Sequence, residues 1–209
     1  TEQVCWAAGG PQKYTGRSMR DSHIHLDITA AEWLSFMDDL QQTLTVLMAA
    51  CFAVPEVYGN PTGPQVVSGQ ASMVSQGSLL SITNTPGAVI NWQGFSIGAG
   101  ETTRFIQQSA GSSVLNRVVT ADPSVILGTL QSNGRVYLIN TAGILVGAGA
   151  KLDVGAFVGS TLNLSNADFA AGRHNFQAVP GAGNAVNQGN ISTPVGGYVF
   201  LVAPNVKNE

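Results

Sequence analysis

A serine between two glycines is the first residue whose type and spacing could support catalysis. Gly94-Phe-Ser-Ile-Gly98 matches the Gly-x-Ser-x-Gly pattern that places a nucleophilic serine on a sharp strand-to-helix turn in α/β hydrolases. An acid, Asp153 or Asp168, and then His174 follow in the chain order of that fold. A serine hydrolase that uses Ser96 is therefore one functional hypothesis.

The sequence around this motif does not favour the elements that a hydrolase needs. Gly98 is followed by Ala-Gly-Glu-Thr-Thr, a poor helix start because it contains a glycine and two β-branched residues. His174 follows Ala170-Ala-Gly-Arg, a segment typical of a loop. We therefore favour Ser96 as a polar residue between two inward-facing apolar neighbours in a strand or turn, and we expect no enzyme.

Other chemistry is also disfavoured by residue types. Each Gly-x-Gly pair lacks the third glycine of the dinucleotide fingerprint. His174 is the only histidine after residue 25 and no cysteine follows Cys51, so no Cys/His metal site is expected. The basic residues form no cluster that could track phosphates, which argues against nucleic acid. We expect no cofactor.

Composition changes near residue 55 of the 209. All fourteen asparagines and 22 of the 25 glycines follow that point, whereas both cysteines and two of the three histidines precede it. Only 10% of the residues are charged. We divide the chain into residues 1–43, an apolar junction at 44–58, and a domain at 59–209.

The N-terminal segment contains a predicted helix. Thr29 and Glu32 have the spacing of a capping box, which marks a helix start. Apolar residues then recur at intervals of three and four, as on one face of a helix. They are Trp33, Phe36, Met37, Leu40 and Leu44.

The residues from Gly9 to Ile28, with Gly-Gly-Pro, Tyr-Thr-Gly-Arg and a following histidine, resemble the proximal half of a bacterial truncated haemoglobin. The resemblance covers about residues 1–43 and places His23 at the position of the proximal haem ligand. The distal helices of that family have no counterpart here, and haem needs a closed apolar pocket. We therefore expect a vestigial ligand at His23; a haem-binding or oxygen-binding globin remnant is the alternative.

The run from Leu44 to Val54 is apolar and eleven residues long. This is too short for a helix that spans a bilayer, so no stable membrane span is expected. It has the length of a signal-peptide core, but Asp38 and Asp39 precede it where basic residues are usual. It is either the remnant of an export signal or a continuation of the helix.

From Gly59 onward, short β-branched and aromatic runs alternate with Gly, Asn and Ser, which predicts many strands. The best helical candidates are Thr102–Gln108 and Pro123–Leu130. Ser132–Ile139 resembles Val195–Val202 at an offset of 63 residues, about three repeats of a solenoid. This pattern favours a parallel β-helix, with residues 60–85 as a cap over its first rung.

Several ordered motifs between residues 60 and 206 resemble the two-partner secretion domain of filamentous-haemagglutinin-like exoproteins, in the branch of the high-molecular-weight adhesins. They are Ala88-Val-Ile-Asn-Trp, Arg104-Phe-Ile-Gln, Ser113-Val-Leu-Asn-Arg-Val, Leu130-x-Ser-Asn-Gly-Arg-Val-Tyr-Leu-Ile-Asn140 and Ser160-Thr-Leu-Asn-Leu-Ser-Asn166. The resemblance implies a mainly β protein, a right-handed parallel β-helix with an N-terminal cap, preceded here by the short α-helical globin-like fragment.

The resemblance also implies a partner and a location. The partner is an outer-membrane β-barrel transporter, whose periplasmic domains recognise the secretion domain. The exoprotein, an adhesin, haemolysin or toxin with downstream repeats absent from this chain, is secreted or displayed on the surface of a Gram-negative bacterium via the periplasm.

Seven residues are the candidates for transporter recognition or for shaping the cap. They are Asn91, Trp92, Phe95, Asn116, Asn140, Gly143 and Ile144. Family members typically have Asn-Pro-Asn-Gly-Ile where this chain has Asn140-Thr-Ala-Gly-Ile144. The replaced proline and asparagine both favour turns, so the stability of this turn is in question. A purely structural role for each asparagine, in a buried rung or corner, is the alternative.

Overall fold

The computed structural model describes Thr29, residues 31–41 and residues 59–209. The chain divides into two units, Thr1–Pro55 and Glu56–Glu209. Helix α1 covers residues 31–41 of the first unit. The capping box is confirmed, because the backbone N–H of Glu32 donates to Thr29 Oγ1 at 3.3 Å and that of Thr29 donates to Glu32 Oε2 at 2.9 Å.

The apolar stripe of α1 is exposed over its described part. Trp33 and Phe36 have ring centroids 5.8 Å apart, and each has more than a third of its surface exposed. Leu44, the junction at 44–58 and the globin-like segment with His23 lie outside the described residues, so the expectations for them stay predictions.

The second unit contains strands β1 to β16 and the short helix α2. The strands are β1 (Gln65–Ser68), β2 (Ala71–Gln76), β3 (Leu79–Asn84), β4 (Ala88–Trp92), β5 (Thr102–Gln107), β6 (Ser113–Val118), β7 (Ser124–Ile126), β8 (Thr129–Ile139), β9 (Ile144–Val146), β10 (Lys151–Ser160), β11 (Asn163–Leu164), β12 (Phe176–Gln177), β13 (Ala185–Asn187), β14 (Asn190–Ser192), β15 (Val199–Val202) and β16 (Val206–Asn208). Helix α2 is Asn166–Ala170.

These strands stack in parallel on three faces of a solenoid. The first face contains β3, β5, the first halves of β8 and β10, and β14. The second contains β4, β6, the second halves of β8 and β10, and β15. The third contains β7, β9, β13 and β16. This arrangement confirms the predicted mainly β fold and its parallel β-helix.

The register aligns equivalent residues of successive coils. On the second face, Val114 pairs with Val136, Val136 with Phe157, and Phe157 with Val199. Each coil therefore contacts mainly the coil before it and the coil after it, which is the nearest-neighbour arrangement of a solenoid.

Large apolar side chains fill the interior of the coils. Trp92 and Phe95 meet edge to face at a centroid distance of 5.7 Å, and Phe95 stacks on Phe105 at 6.4 Å. All three are almost completely buried. Removing one such side chain from water stabilises the fold by roughly 1.5–3 kcal/mol.

An N-terminal cap covers the first coil, but it is shorter than the predicted residues 60–85, because β3 pairs in parallel with β5 and belongs to the first face. Strand β2 pairs antiparallel with β3, and β1 pairs antiparallel with β4. Asn60, which lies just before β1, also bonds to the first coil. Its side chain donates to the carbonyl of Ser78 at 3.0 Å and accepts from Thr103 Oγ1 at 2.8 Å. The cap satisfies backbone groups that the first rung would otherwise expose.

The two best helical candidates form strands instead. Residues 102–107 form β5, in which Thr103, Phe105 and Gln107 are buried and alternate with more exposed residues. The segment from Pro123 to Leu130 contains β7 and the start of β8. Each segment is short, and pairing with the neighbouring coils decides its conformation.

The internal repeat is real, but its count of three coils is wrong. Val136 and Val199, which are 63 residues apart, lie in one column with only Phe157 between them. The difference arises because residues 161–184, which we call the excursion, leave the solenoid between β10 and β13. The excursion contains the antiparallel pair β11 and β12, with α2 between them.

Candidate functional site

Ser96 bonds to the backbone of the next coil. Its Oγ accepts from the backbone N–H of Val125 at 3.0 Å. Its neighbours Phe95 and Ile97 are buried, and Ile97 forms a parallel bridge with Ile126. This is the predicted polar position between inward-facing apolar residues.

Asp168 and His174 bond to groups other than Ser96. His174 Nε2 lies 2.7 Å from the hydroxyl of Tyr137. Hydrogen bonds from Ser165 and then Arg173 hold the pKa of the Asp168 carboxyl below its usual value. Asp153 lies exposed on β10. The hydrogen bonds of the described residues therefore do not link Ser96, His174 and a carboxylate into a triad.

Trp92 and Asn116 join three successive coils. The indole Nε1–H donates to Asn116 Oδ1 at 2.9 Å, and Asn116 Nδ2 donates to the carbonyl of Tyr137 at 3.2 Å. Both side chains are fully buried. Because both the oxygen and the nitrogen of this buried amide are hydrogen-bonded, Asn116 fixes the stacking of β4, β6 and β8.

Asn140 organises the corner between the second and third faces. Its Nδ2 donates to the carbonyl of Asp122 at 2.9 Å and to Ser124 Oγ at 3.0 Å, while its Oδ1 accepts from the N–H of Ala142 at 2.9 Å. Gly143, with φ of 137°, donates its N–H back to the carbonyl of Asn140. The turn therefore forms without the proline and asparagine of the family pattern.

Six of the seven candidate residues lie in the interior or in buried corners. Phe95, Gly143 and Ile144 are buried, as are Trp92 and the two asparagines described above. Asn91 differs, since its side chain is partly exposed on β4 and its Oδ1 lies 3.5 Å from Nη1 of Arg117. In the folded domain, Asn91 alone of the seven can offer a side chain to a partner.

Sequence reasoning did not identify the outer cluster, a second apolar cluster on the outside of the second face. It consists of Val89, Leu115, Tyr137, Ile139, Val158, Leu164 and Phe169, with Phe176 and Tyr198 packed against it. Leu164, Phe169 and Phe176 belong to the excursion, and they cover the solenoid strands on this side. The continuous apolar run Val136-Tyr-Leu-Ile139 was the available signal, because a strand buried on both faces loses the polar alternation.

Aromatic rings fasten the excursion to the solenoid. The ring of His174 stacks on Tyr137 at 5.8 Å and on Phe176 at 6.3 Å. Burial, followed by a hydrogen bond with Tyr198, raises the pKa of the Tyr137 phenol, which keeps this hydroxyl protonated. Ser165 caps α2 by accepting from the N–H of Asp168 at 3.0 Å.

Neither a metal cluster nor a membrane-spanning helix is present in the described part of the chain. It holds no group of three or more His, Cys, Asp or Glu side chains arranged for a metal ion. Within Thr29, 31–41 and 59–209, no helix combines the length and the apolar character needed to cross a membrane.

A capped parallel solenoid with buried asparagines at its corners defines a structural module of the β-helix class. Residues 58–209 match the family model of the TPS secretion domain, where TPS denotes two-partner secretion. The chain belongs to this family, whose members are the secretion domains of exported proteins.

Other proteins are similar to this chain in sequence and in structure. A heme/hemopexin-binding protein of Haemophilus influenzae is 36% identical over 105 residues, which are 50% of this chain and 12% of that protein. A second protein of that name and species is 35% identical over 77 residues, 37% of this chain and 8% of the relative. The crystal structure of the HMW1 secretion domain from Haemophilus influenzae superimposes with a TM-score of 0.68 at 35% identity, covering 72% of this chain and 41% of that one.

Proposed function

We propose that residues 59–209 are the recognition module by which an outer-membrane β-barrel transporter selects a large exoprotein for export from the periplasm. The match to the TPS secretion domain over residues 58–209, on a capped parallel solenoid, carries this proposal. The exoprotein is then released or held at the surface of a Gram-negative cell.

The physical properties of the domain suit passage through a pore. No cysteine follows Cys51, so no disulfide can lock residues 59–209 in the periplasm. Each coil pairs with its sequence neighbours, and the domain can therefore fold coil by coil as it emerges. Folding outside the cell would then oppose backward movement of the chain.

We assign the seven candidate residues two roles. Asn91 is proposed to contact the transporter, because its side chain reaches the surface. The six buried residues are proposed to shape the surface by fixing the coils and the corner at Asn140. Replacing a buried residue should then weaken recognition only to the extent that it disturbs the fold.

The chain spans about an eighth of the heme/hemopexin-binding relative that it matches over the greater length. The activity of the whole exoprotein is therefore a separate question. We propose a cargo of the adhesin, haemolysin or toxin type, with its activity in repeats downstream of the secretion domain.

A pull-down tests the proposal. The full 209-residue chain is immobilised and offered the periplasmic region of the outer-membrane transporter encoded beside it. Specific retention is expected, and no retention would overturn the proposal. Hydrolysis of simple esters that is lost in Ser96→Ala would instead support the hydrolase, and a Soret band that is lost in His23→Ala would support the globin.

A further inference from the structure

Arg117 is a partly buried cation on the outer side of the second face. It lies on β6, and its Nη2 donates to the carbonyl of Leu164 in the excursion at 2.6 Å. Its Nη1 lies 3.5 Å from Asn91 Oδ1 on β4, a weak contact. Its Nε is buried without a hydrogen-bond partner.

No carboxylate of the described residues neutralises this cation. The ion pairs found there join Arg173 to Asp168 and Lys207 to Glu209. Burial lowers the pKa of the Arg117 guanidinium, because the charged form is removed from water. A partly desolvated charge without a counter-ion is unfavourable, and an external acid would relieve that cost.

The chemistry around Arg117 suits a carboxylate. A guanidinium group carries a planar fork of N–H donors, of which the carbonyl of Leu164 and the amide of Asn91 occupy only part. Asn91 Oδ1 faces the cation, which leaves its Nδ2 as a further donor at the surface. Clustered donors at the edge of a covered apolar region recognise an acidic side chain by charge-assisted hydrogen bonds.

We propose that Arg117, with Asn91 beside it, binds an Asp or Glu side chain of the transporter's periplasmic region. This inference rests on the proposed function and specifies the contact by which recognition occurs. The unneutralised cation carries it, since the domain presents a partly desolvated guanidinium that its own described residues leave without a carboxylate partner.

A purely structural role for Arg117 makes a different prediction. If the guanidinium served only to fasten the excursion through Leu164, loosening the excursion elsewhere would weaken binding equally. Ser165→Ala provides that control, because it removes the N-cap of α2 without changing any charge.

The test measures the affinity of the full chain for the periplasmic region of the neighbouring transporter. Arg117→Glu is expected to weaken binding at least about tenfold, and Arg117→Lys less than Arg117→Glu. Arg104→Glu is the matched control, because Arg104 is an exposed arginine of the first face; it should change affinity by no more than about twofold. Thermal unfolding of each variant shows whether its fold is intact.

A charge reversal on the transporter completes the test. One Asp→Lys or Glu→Lys substitution there is expected to restore binding of Arg117→Glu. Wild-type affinity in Arg117→Glu, or equal weakening by Ser165→Ala, would overturn the inference while leaving the proposed function intact. Failure of the wild-type chain to bind would overturn the proposed function and this inference together.

Discussion

The solenoid has two apolar clusters that differ in how they are built. The inner cluster fills the coils and includes Trp92, Phe95 and Phe105, with contributions from successive coils. The outer cluster lies on the other side of the second face and is closed by Leu164 and Phe169 of the excursion. The inner cluster is a product of stacking, whereas the outer one depends on an insertion that folds back.

The difference indicates which part of the domain is rigid and which part can open locally. Loss of an inner residue leaves a cavity that neighbouring coils cannot fill, because both sides are fixed by strand pairing. Loss of Leu164 or Phe169, the outer residues that the excursion contributes, affects a segment held by side chains and few backbone pairs. We expect the inner cluster to determine global stability and the outer cluster to determine local opening.

Among these variants, Trp92→Ala should lower the free energy of unfolding most. It removes a fully buried ring and leaves Asn116 Oδ1 without its donor, so the free energy of unfolding should fall by about 3–5 kcal/mol in urea titration. Trp92→Phe should cost less, since it keeps most of the ring. A loss below about 1 kcal/mol for Trp92→Ala would contradict a rigid interior.

Gly128→Ala tests the close stacking of coils. A Cβ at this position would lie 2.3 Å from the carbonyl oxygen of Gly98 and 2.4 Å from that of Glu101. Both atoms are backbone, so the unfolding free energy should fall by up to about 3 kcal/mol. Gly111→Ala, whose Cβ would have its nearest neighbour at 3.8 Å, should be nearly neutral. Equal stability of the two variants would refute the stacking argument.

Phe169→Ala tests the outer cluster. The ring meets Tyr137 edge to face at 5.1 Å, but it lies in the excursion and is slightly exposed. We expect a loss of about 2 kcal/mol, because the excursion can partly collapse around the gap. Amide hydrogen exchange should accelerate in residues 161–184 and stay slow in β6 and β8. Uniform acceleration would show that the two clusters unfold as one unit.

The smallest expected effect on stability comes from protonation of the Asp168 carboxyl. Hydrogen bonds from Ser165 and then Arg173 lower the pKa of this carboxyl in the folded state. Its contribution to stability is therefore present above the unfolded pKa of about 4 and is lost as pH falls through the lower folded value. NMR titration should give a midpoint below the usual one, and Ser165→Ala should raise it. A normal midpoint in the wild type would contradict this.

The alternation of apolar and polar residues in the strands predicts the inner cluster. It does not predict the outer cluster. In β3, inward Leu80 and Ile82 alternate with more exposed residues, so the strand can be inferred from local sequence. In the second half of β8, Val136 to Ile139 are all buried, and a continuous apolar run does not reveal what covers its outer side. The covering excursion has no periodicity of its own.

The candidate site was predictable only in part, for a related reason. Asn91 and Asn116 occupy similar sequence settings, before Trp92 and Arg117 respectively, yet one is partly exposed and the other is buried. Their difference depends on the register between β4 and β6, which is a long-range property. The importance of Arg117 likewise depends on Leu164, which lies 47 residues further along the chain.

Export dependent on the transporter tests the central claim most directly. The full chain, preceded by a cleavable signal peptide, is produced in a Gram-negative host with and without the neighbouring outer-membrane transporter, and the protein in the medium and in the periplasm is quantified. We predict that the chain appears in the medium only when the transporter is present and that deletion of residues 59–209 abolishes its export. Equal release without the transporter, or retention in the periplasm despite a functional transporter, would contradict the account.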